Sequence, residues 1–395
     1  MARSAAVSHS PTMLLAYPFR LFFLLTGMFA ALAIIAWAAM LLGWLHLPAG
    51  ISPRLWHSHE MLYGFVPAAI AGFLLTAMAN WTGAPPPSGQ RLLALGALWL
   101  AGRTAMALVG SLPGWLVAAV DLSFLPTLAL YALVVLRRGG NSRNLPLAAV
   151  LAILAVGNAL MHLALLGATP RLGHMGELVA LDTITVLMAM IGGRIIPAFT
   201  GNWLTRHGED SPRSRPRLDQ AALLATVLML PADLLAPASL GAGLVALVAG
   251  ALHLFRLTSW QGWRARREPL LWILHVGYAW LALALVLKGL TPLLPALGAS
   301  AWYHALGVGA MGTLIVGVMT RVSVAHTGRP LVLVRGAQPI YWLVIAAAVL
   351  RLSAALGAGL WALYAAAVAW AAAFTLFLVC YAPILSQPRV DGQPG

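Results

Sequence analysis

Charge is scarce in this chain. Asp, Glu, Lys and Arg make up 9% of its 395 residues, whereas a soluble domain carries about 25%. Hydrophobic residues account for 61% of the sequence. An ordinary soluble protein is excluded, because its surface would need far more charged groups. The composition predicts a polytopic protein whose main partner is the lipid bilayer.

Cysteine and several ligand-binding motifs are also missing. The single cysteine, Cys380, excludes a disulfide within the chain and any cysteine-ligated cluster. No Cys-x-x-Cys-His sequence is present, so any haem is expected to be bound non-covalently. The chain has neither a Walker loop nor a dinucleotide-binding glycine turn. Residues 1–16 lack the pattern of a cleavable signal peptide, so we expect none.

Acidic residues are few beside basic ones. The chain has 24 Lys and Arg against 10 Asp and Glu, for a net charge of +14, and Lys288 is its one lysine. Such a charge would suit nucleic acid. The arginines, however, lie in short segments between apolar runs, where they set the orientation of membrane helices. We therefore expect no nucleic-acid partner.

Apolar runs of membrane length are abundant. About 20 apolar residues in a helix span a bilayer. Twelve runs fit this length, at residues 18–45, 57–80, 91–110, 114–137, 145–168, 172–200, 218–236, 239–256, 269–290, 299–321, 338–356 and 359–383. The sequence therefore predicts an all-α transmembrane domain over residues 17–385, with short tails at 1–16 and 386–395.

The basic segments follow every second run. Arginines come after runs four, six, eight and ten, whereas the connections after odd-numbered runs carry few charges. Because basic connections stay in the cytoplasm, we expect both termini to be cytoplasmic. The arginines in question are Arg137, Arg138, Arg143, Arg206, Arg213, Arg215, Arg217, Arg256, Arg264, Arg266, Arg267, Arg329 and Arg335.

Runs two and ten have the same layout. His59 precedes Thr82-Gly83 by 23 residues, and His304 precedes Thr327-Gly328 by 23. In this register the glycines also coincide, Gly64 with Gly309 and Gly72 with Gly317. The spacing indicates one helix used twice, with a histidine at the same depth each time.

A wider repeat is also consistent with the spacing. Thr-Gly pairs end runs two, six and ten, which suggests three units of four helices. The units would be 17–140, 141–265 and 266–385. The alternative is a six-plus-six arrangement divided at the arginine-rich segment 204–217.

Ionisable residues inside the apolar runs are the candidate functional groups, because charge in hydrocarbon is costly and usually has a role. The predicted orientation sorts them into two layers. The outer layer contains His57, His59, Glu60, His162, His174, Glu177 and His304, with Asp182 deeper, and the inner layer contains Arg194, His253, His275, Arg321 and His326.

The histidines suggest metal ligands. Two histidines at one depth, His59 and His304, are what a six-coordinate haem or half of a copper site needs. His57 lies two residues from His59, about 200° around a helix, so the two are expected to serve different centres unless the helix begins after them. We interpret His57, with His162 or His275, as copper ligands. The alternative is that single histidines are hydrogen-bonded core residues.

Three further residues have candidate roles. Glu60 is expected to orient a ligand imidazole or relay a proton. Arg194 and Arg321 are candidate partners for haem propionates, provided that the haem reaches the inner layer. The alternative for both arginines is ordinary anchoring at the cytoplasmic side.

Several distinctive sequence blocks together span most of the chain. The blocks are Pro18-Phe19-Arg20, His57-Ser58-His59-Glu60-Met61-Leu62, Gly72-Phe73-Leu74-Leu75-Thr76, Asn80-Trp81-Thr82-Gly83, Gly192-Gly193-Arg194-Ile195-Ile196-Pro197-Ala198-Phe199-Thr200, Asn202-Trp203-Leu204, Glu268-Pro269-Leu270, His304-Ala305-Leu306, Met319-Thr320-Arg321 and His326-Thr327-Gly328-Arg329-Pro330. These blocks resemble the NnrS family of bacterial membrane proteins. The chain departs from the family at Ala325, where a glycine commonly precedes the His-Thr-Gly-Arg block.

The resemblance implies an inner-membrane protein that contains haem b and copper and is linked to nitric oxide metabolism, denitrification and protection from nitrosative stress. Nitric oxide or iron-nitrosyl species and an electron donor are the implied partners. Whether it turns nitric oxide over as an enzyme stays open, and the alternatives are a transporter of a small molecule or metal complex and a non-catalytic haem sensor. The family's histidines correspond here to His57, His59, His162, His275, His304 and His326.

Overall fold

Helices make up nearly all of the structure. The computed structural model describes residues 11–46 and 51–393, and within them twelve long helices follow one another without a strand. They are α1 (Pro18–Leu41), α2 (Pro53–Thr82), α3 (Gly89–Ala107), α4 (Gly114–Arg138), α5 (Leu145–Leu165), α6 (Pro170–Arg206), α7 (Pro216–Leu235), α8 (Leu240–Ser259), α9 (Pro269–Leu290), α10 (Pro295–Ala325), α11 (Gln338–Ala358) and α12 (Leu360–Ser386). Short helical turns occur at Pro11–Leu14, Ser142–Asn144 and Gly262–Ala265.

The predicted all-α membrane architecture is confirmed. Eleven of the described helices are long and apolar enough to cross a membrane. The other helix, α3, corresponds to the predicted run 91–110, ends three residues earlier at Ala107, and carries Arg91 and Arg103. The predicted N-terminal tail lies mostly outside the described residues, as do the last two residues of the C-terminal tail.

The basic connections meet at one end of the bundle. Arg264, between α8 and α9, donates hydrogen bonds to Glu209 and to the carbonyl of Asp210, between α6 and α7, at 2.8 and 2.9 Å. Asn141, after α4, donates to the carbonyl of Trp81 at the end of α2. This clustering is what one cytoplasmic face requires, and the sidedness itself stays a prediction.

The C-terminal residues fold back on the same end. The backbone N–H of Val390 donates to the carbonyl of Thr327 at 3.2 Å, and Arg389 donates to the carbonyl of His326 at 3.1 Å. The hydrogen bond from Arg389 lowers the pKa of the exposed Asp391 carboxyl to about 2. This ion pair therefore stays charged at neutral pH.

The first and last helices close the bundle. The indole N–H of Trp370 on α12 donates to the carbonyl of Ala30 on α1 at 3.0 Å. Arg20, near the start of α1, donates to the carbonyl of Leu385 at 2.7 Å. Gly27 provides the close approach, since a Cβ there would lie 3.1 Å from the Phe377 and Leu378 side chains.

The likeness between runs two and ten extends to the backbone. In α2, an α-helical start ends at His59 and a π-helical segment, Glu60–Phe65, follows. In α10, the α-helical part ends at His304 and the π-helical segment Ala305–Gly312 follows. The helix α6 is α-helical from Pro170 to Arg206. The structural likeness therefore joins α2 with α10, and the threefold repeat remains a hypothesis.

Candidate metal centres

A large cavity lies between α1, α2, α6, α10, α11 and α12. Its empty space, including the part open to solvent at its mouth, is about 1040 Å³. His57 from α2 and His304 from α10 both line it. The two similar helices thus present one histidine each to a common space.

The imidazole of His304 is held in a defined tautomer. Its Nδ1 donates a hydrogen bond to the carbonyl of Ser300, one turn earlier, at 2.8 Å. Because a carbonyl only accepts, Nδ1 carries the proton and Nε2 keeps its lone pair. Metal-ligating histidines are usually fixed in this way by a hydrogen bond to the other ring nitrogen.

The imidazole of His57 is positioned by packing. Its ring stacks on Trp37, with 4.4 Å between the centroids. Its Nδ1 is buried without a hydrogen-bond partner. A buried polar atom left in this state is costly, so the ring is suited to a ligand supplied from the cavity.

The remaining lining of the cavity is apolar except at a few points. Arg54 and Arg351 contribute guanidinium groups, and Arg54 lies 3.6 Å from the Glu177 carboxylate. The walls are built from side chains such as Leu62, Phe65, Leu181, Val308 and Trp370. Apolar walls with two guanidinium groups and one carboxylate carry a net positive charge, which fits an amphiphilic anion.

A second cavity, almost wholly apolar, lies next to the first. It lies between α1, α2, α6, α9 and α10, and its empty space, including the part open to solvent, is about 830 Å³. Leucine, isoleucine, valine and methionine side chains dominate its walls. Val66 and Met311 line both cavities, so the two are neighbours in the bundle.

A separate group of buried polar residues joins α2, α3, α4 and α5. We call it the His59 cluster; each member has at most 7% of its surface exposed. Its members are His59, Glu60, Arg103, Asp121, Asn158 and His162. They lie on four different helices, so only the folded bundle assembles them.

Both ring nitrogens of His59 are engaged in this cluster. Nδ1 lies 2.9 Å from a Glu60 carboxylate oxygen, and Nε2 lies 2.9 Å from the Asn158 amide oxygen and 3.2 Å from Asp121 Oδ2. His162 Nε2 lies 2.8 Å from the same Asp121 oxygen. One nitrogen of each histidine and one Asp121 oxygen all lie within 4.8 Å of one another, a set of donors that could hold a metal ion.

Arg103 connects the two carboxylates of the cluster. One of its terminal nitrogens donates to Glu60 at 2.5 Å, and the other donates to Asp121. Gly64 leaves room for this guanidinium, since a Cβ there would lie 2.5 Å from it. Two carboxylates facing one guanidinium leave one negative charge, which a metal ion or a protonated imidazole would balance.

The structure pairs the histidines differently from the sequence-based interpretation. His57 shares its cavity with His304, while His59 lies beside His162, because His57 and His59 point to different sides of α2. His59 and His304, predicted as a haem pair, are therefore not brought together. The division of His57 and His59 between two sites does follow the predicted helix geometry.

Other predicted site residues lie away from both groups. His275 is 2.9 Å from the Thr200 hydroxyl, so the structure does not bring it to His57 as a copper partner. His326 packs on Phe19 near the C-terminal segment. Arg194 and Arg321 also lie outside the cavity of His57 and His304: Arg194 donates to Asn144 at 2.6 Å, and Arg321 lies 4.1 Å from the Phe199 ring centroid.

Sequence reasoning missed four charged residues at these sites. Arg103 and Asp121 belong to the His59 cluster, and Arg54 and Arg351 line the cavity. The signal for three of them was present, since Arg103, Asp121 and Arg351 are charges inside predicted membrane runs.

These features define a class: a multi-pass, all-α membrane protein with histidine-containing sites buried between its helices. The chain matches the family model described as NnrS protein over residues 13–389, nearly its whole length. It therefore belongs to the NnrS family, as the resemblance indicated. The search of curated proteins found no match.

Proposed function

We propose that this protein binds nitric oxide at a haem held in the cavity of His57 and His304, with a copper site in the His59 cluster. Membership of the NnrS family fits a membrane protein related to nitric oxide. The observation that carries the proposal is one apolar cavity lined by a histidine from each of two similar helices.

The cavity residues fit haem b in three respects. His57 and His304 would supply the iron ligands, since His304 keeps Nε2 free and His57 has an unpartnered Nδ1. Arg54 and Arg351 would pair with the propionates, in place of the predicted Arg194 and Arg321. The apolar walls would exclude water from the ring. When bound, the haem would supply an iron that coordinates nitric oxide in exchange for one of the two imidazoles.

The His59 cluster fits copper by its donor chemistry. His59, His162 and Asp121 would hold the ion, because imidazole and carboxylate are ligands that copper accepts. Glu60, beside Nδ1 of His59, would orient that imidazole, which is the role predicted for it.

The cellular setting of the proposal follows from the family and the charge pattern. The protein would lie in the bacterial inner membrane with both termini in the cytoplasm. There it would receive nitric oxide or an iron-nitrosyl species, take electrons from a donor and protect the cell from nitrosative stress. Under the alternative hypothesis of a transporter, the protein would contain no bound haem.

The haem proposal predicts the spectra of single variants. We expect the purified protein to show sharp reduced-minus-oxidised haem bands that shift when nitric oxide is added. His57→Ala and His304→Ala should each remove the same low-spin bands, while His207→Gln, at the exposed end of α6, should keep them. Haem-free wild-type protein, or normal bands in both cavity variants, would contradict the proposal.

The copper proposal predicts a separable loss of metal. His162→Ala should lower the copper content, measured by elemental analysis, at least tenfold while the haem bands remain. His275→Ala is the matched control, since His275 is also a membrane histidine but lies outside the cluster. Unchanged copper in His162→Ala protein would remove the assignment.

A further inference from the structure

A third group of buried charges joins α6, α7 and α9. The Lys288 ammonium lies 2.5 Å from an Asp182 carboxylate oxygen and also contacts Asp233. It also lies 4.6 Å from the centre of the Trp302 ring on α10. We call Asp182, Asp233 and Lys288 the Lys288 triad. All three residues have at most 7% of their surface exposed.

The charges of the triad do not balance. Two carboxylates face one ammonium group, so a fully ionised triad carries one net negative charge. In the His59 cluster the same imbalance can be met by an imidazole, but no histidine hydrogen-bonds to or ion-pairs with the triad in the described part of the chain. An unbalanced charge buried between membrane helices is expensive.

One carboxylate oxygen marks where the missing positive charge would go. Asp182 is fully buried, and its second oxygen, Oδ2, has no hydrogen-bond partner. A proton on either carboxylate would make the triad neutral and would supply a hydrogen-bond donor. Lys288 already contacts both carboxylates, and a proton is the smallest cation that could neutralise the remaining charge.

The triad adjoins the proposed haem cavity. Lys288 lies against Trp302, whose ring is 4.3 Å from that of Tyr303, and Tyr303 lines the cavity beside His304. Tyr303 is within electrostatic reach of Glu177 and Arg54 at the cavity and of the two aspartates of the triad. In the predicted orientation the triad lies towards the outer face, where α7 and α9 end.

We propose that the Lys288 triad is a proton-binding site, with Asp182 and Asp233 sharing one proton at neutral pH and exchanging it with the outer side. Binding forms one O–H bond on a carboxylate oxygen, and release breaks it without electron transfer. Placed beside the cavity, the site would exchange protons when the charge in the cavity changes. That coupling rests on the proposed haem, whereas the bound proton does not.

The bound proton is tested by infrared spectroscopy of the purified full-length protein. We expect, at pH 7, a carboxylic-acid C=O band that shifts in D₂O and shifts again when the protein contains ¹³C-labelled aspartate. Asp182→Asn should remove the band, because an amide, a carboxylate and an ammonium group together are neutral. Lys288→Met should increase the band about twofold, since both carboxylates must then be protonated.

Glu60→Gln separates the triad from the other buried carboxylates, because Glu60 Oε2 is also without a partner. We expect this variant to keep the band. The proposal would be overturned if the wild-type protein showed no carboxylic-acid band, or if the band were lost only in Glu60→Gln. The wild-type spectrum tests the proposal even if a variant misfolds.

The coupling between the Lys288 triad and the haem is tested by a separate measurement. In haem-containing protein, the midpoint potential of the haem should depend on pH near neutrality, and Asp182→Asn should weaken that dependence without altering the haem bands. An unchanged pH dependence would remove the coupling alone. If the purified protein contained no haem, the proposed function would be contradicted. The infrared test of the bound proton would be unaffected.

Discussion

Arg103 shows how a single residue holds a buried site together. Its guanidinium donates to both Glu60 and Asp121, and Asp121 in turn lies against His59 and His162. A planar group with several N–H donors can bridge two carboxylates, which a lysine ammonium does less well. The geometry of the candidate copper ligands therefore depends on a residue that would not itself bind the ion.

Replacing Arg103 should destabilise the protein. In Arg103→Gln, two carboxylates lose their shared cation, and removal of one partner from a buried ion pair costs about 3–5 kcal/mol. We expect a lower thermal unfolding midpoint for the detergent-purified protein, with a smaller decrease in Arg103→Lys. Arg91→Gln, on the exposed part of the same helix, serves as the control. An unfolding midpoint of Arg103→Gln equal to that of the control would show that the cluster is not held by this charge.

At the scale of the element, the π-helical segments set the direction of the histidines. Two of the π-helical segments lie directly after a histidine, Glu60–Phe65 and Ala305–Gly312, whereas a third, Ala354–Ala358 in α11, does not. A π-helical segment contains an extra residue relative to an α-helix and is common at functional sites. It changes the rotation of the preceding turn relative to the rest of the helix, and so decides which side a histidine faces.

Deletion of Gly307 tests this role. Gly307 has no side chain and lies in the π-helical segment of α10, so its loss should convert the segment towards α-helix and rotate His304 by about 100° relative to the lower part of the helix. We expect loss of the haem bands with retention of helical content. Gly307→Ala is the matched control, because a Cβ there meets no atom within 4 Å. Intact haem bands after the deletion would contradict the role.

At the scale of the whole molecule, the basic connections lie together and α1 packs on α12. Hydrogen bonds between the α6–α7 and α8–α9 connections fix one end of the bundle. The orientation of that end relative to the membrane follows from the positive-inside rule, which concerns insertion rather than packing. Orientation is therefore an independent prediction.

The orientation is tested by cysteine labelling. In a Cys380→Ser background, Ser111→Cys lies in the exposed connection between α3 and α4, and Ser214→Cys lies in the exposed basic connection between α6 and α7. A membrane-impermeant maleimide added to cells with a permeabilised outer membrane should label the first variant. The second should react only after the inner membrane is disrupted. The reverse pattern would invert the topology.

The sequence by itself determined the helices and their number. Apolar runs of membrane length leave the backbone no alternative to helix in hydrocarbon, so the runs correspond to α1–α12 within a few residues. The layout shared by α2 and α10 was also visible, because the positions of His59 and His304 and of the glycines follow one spacing. The candidate residues were identified because ionisable groups are rare in such runs.

Only the tertiary structure decided which of these residues meet. His57 and His304 line the same cavity because of the π-helical segments and the packing of α1, α6, α11 and α12. His59, in contrast, is enclosed by α3, α4 and α5. Spacing along one helix cannot show which neighbouring helix a side chain faces. Arg103 and Asp121 gained their partners for the same reason, since contacts between different helices depend on how the whole bundle packs.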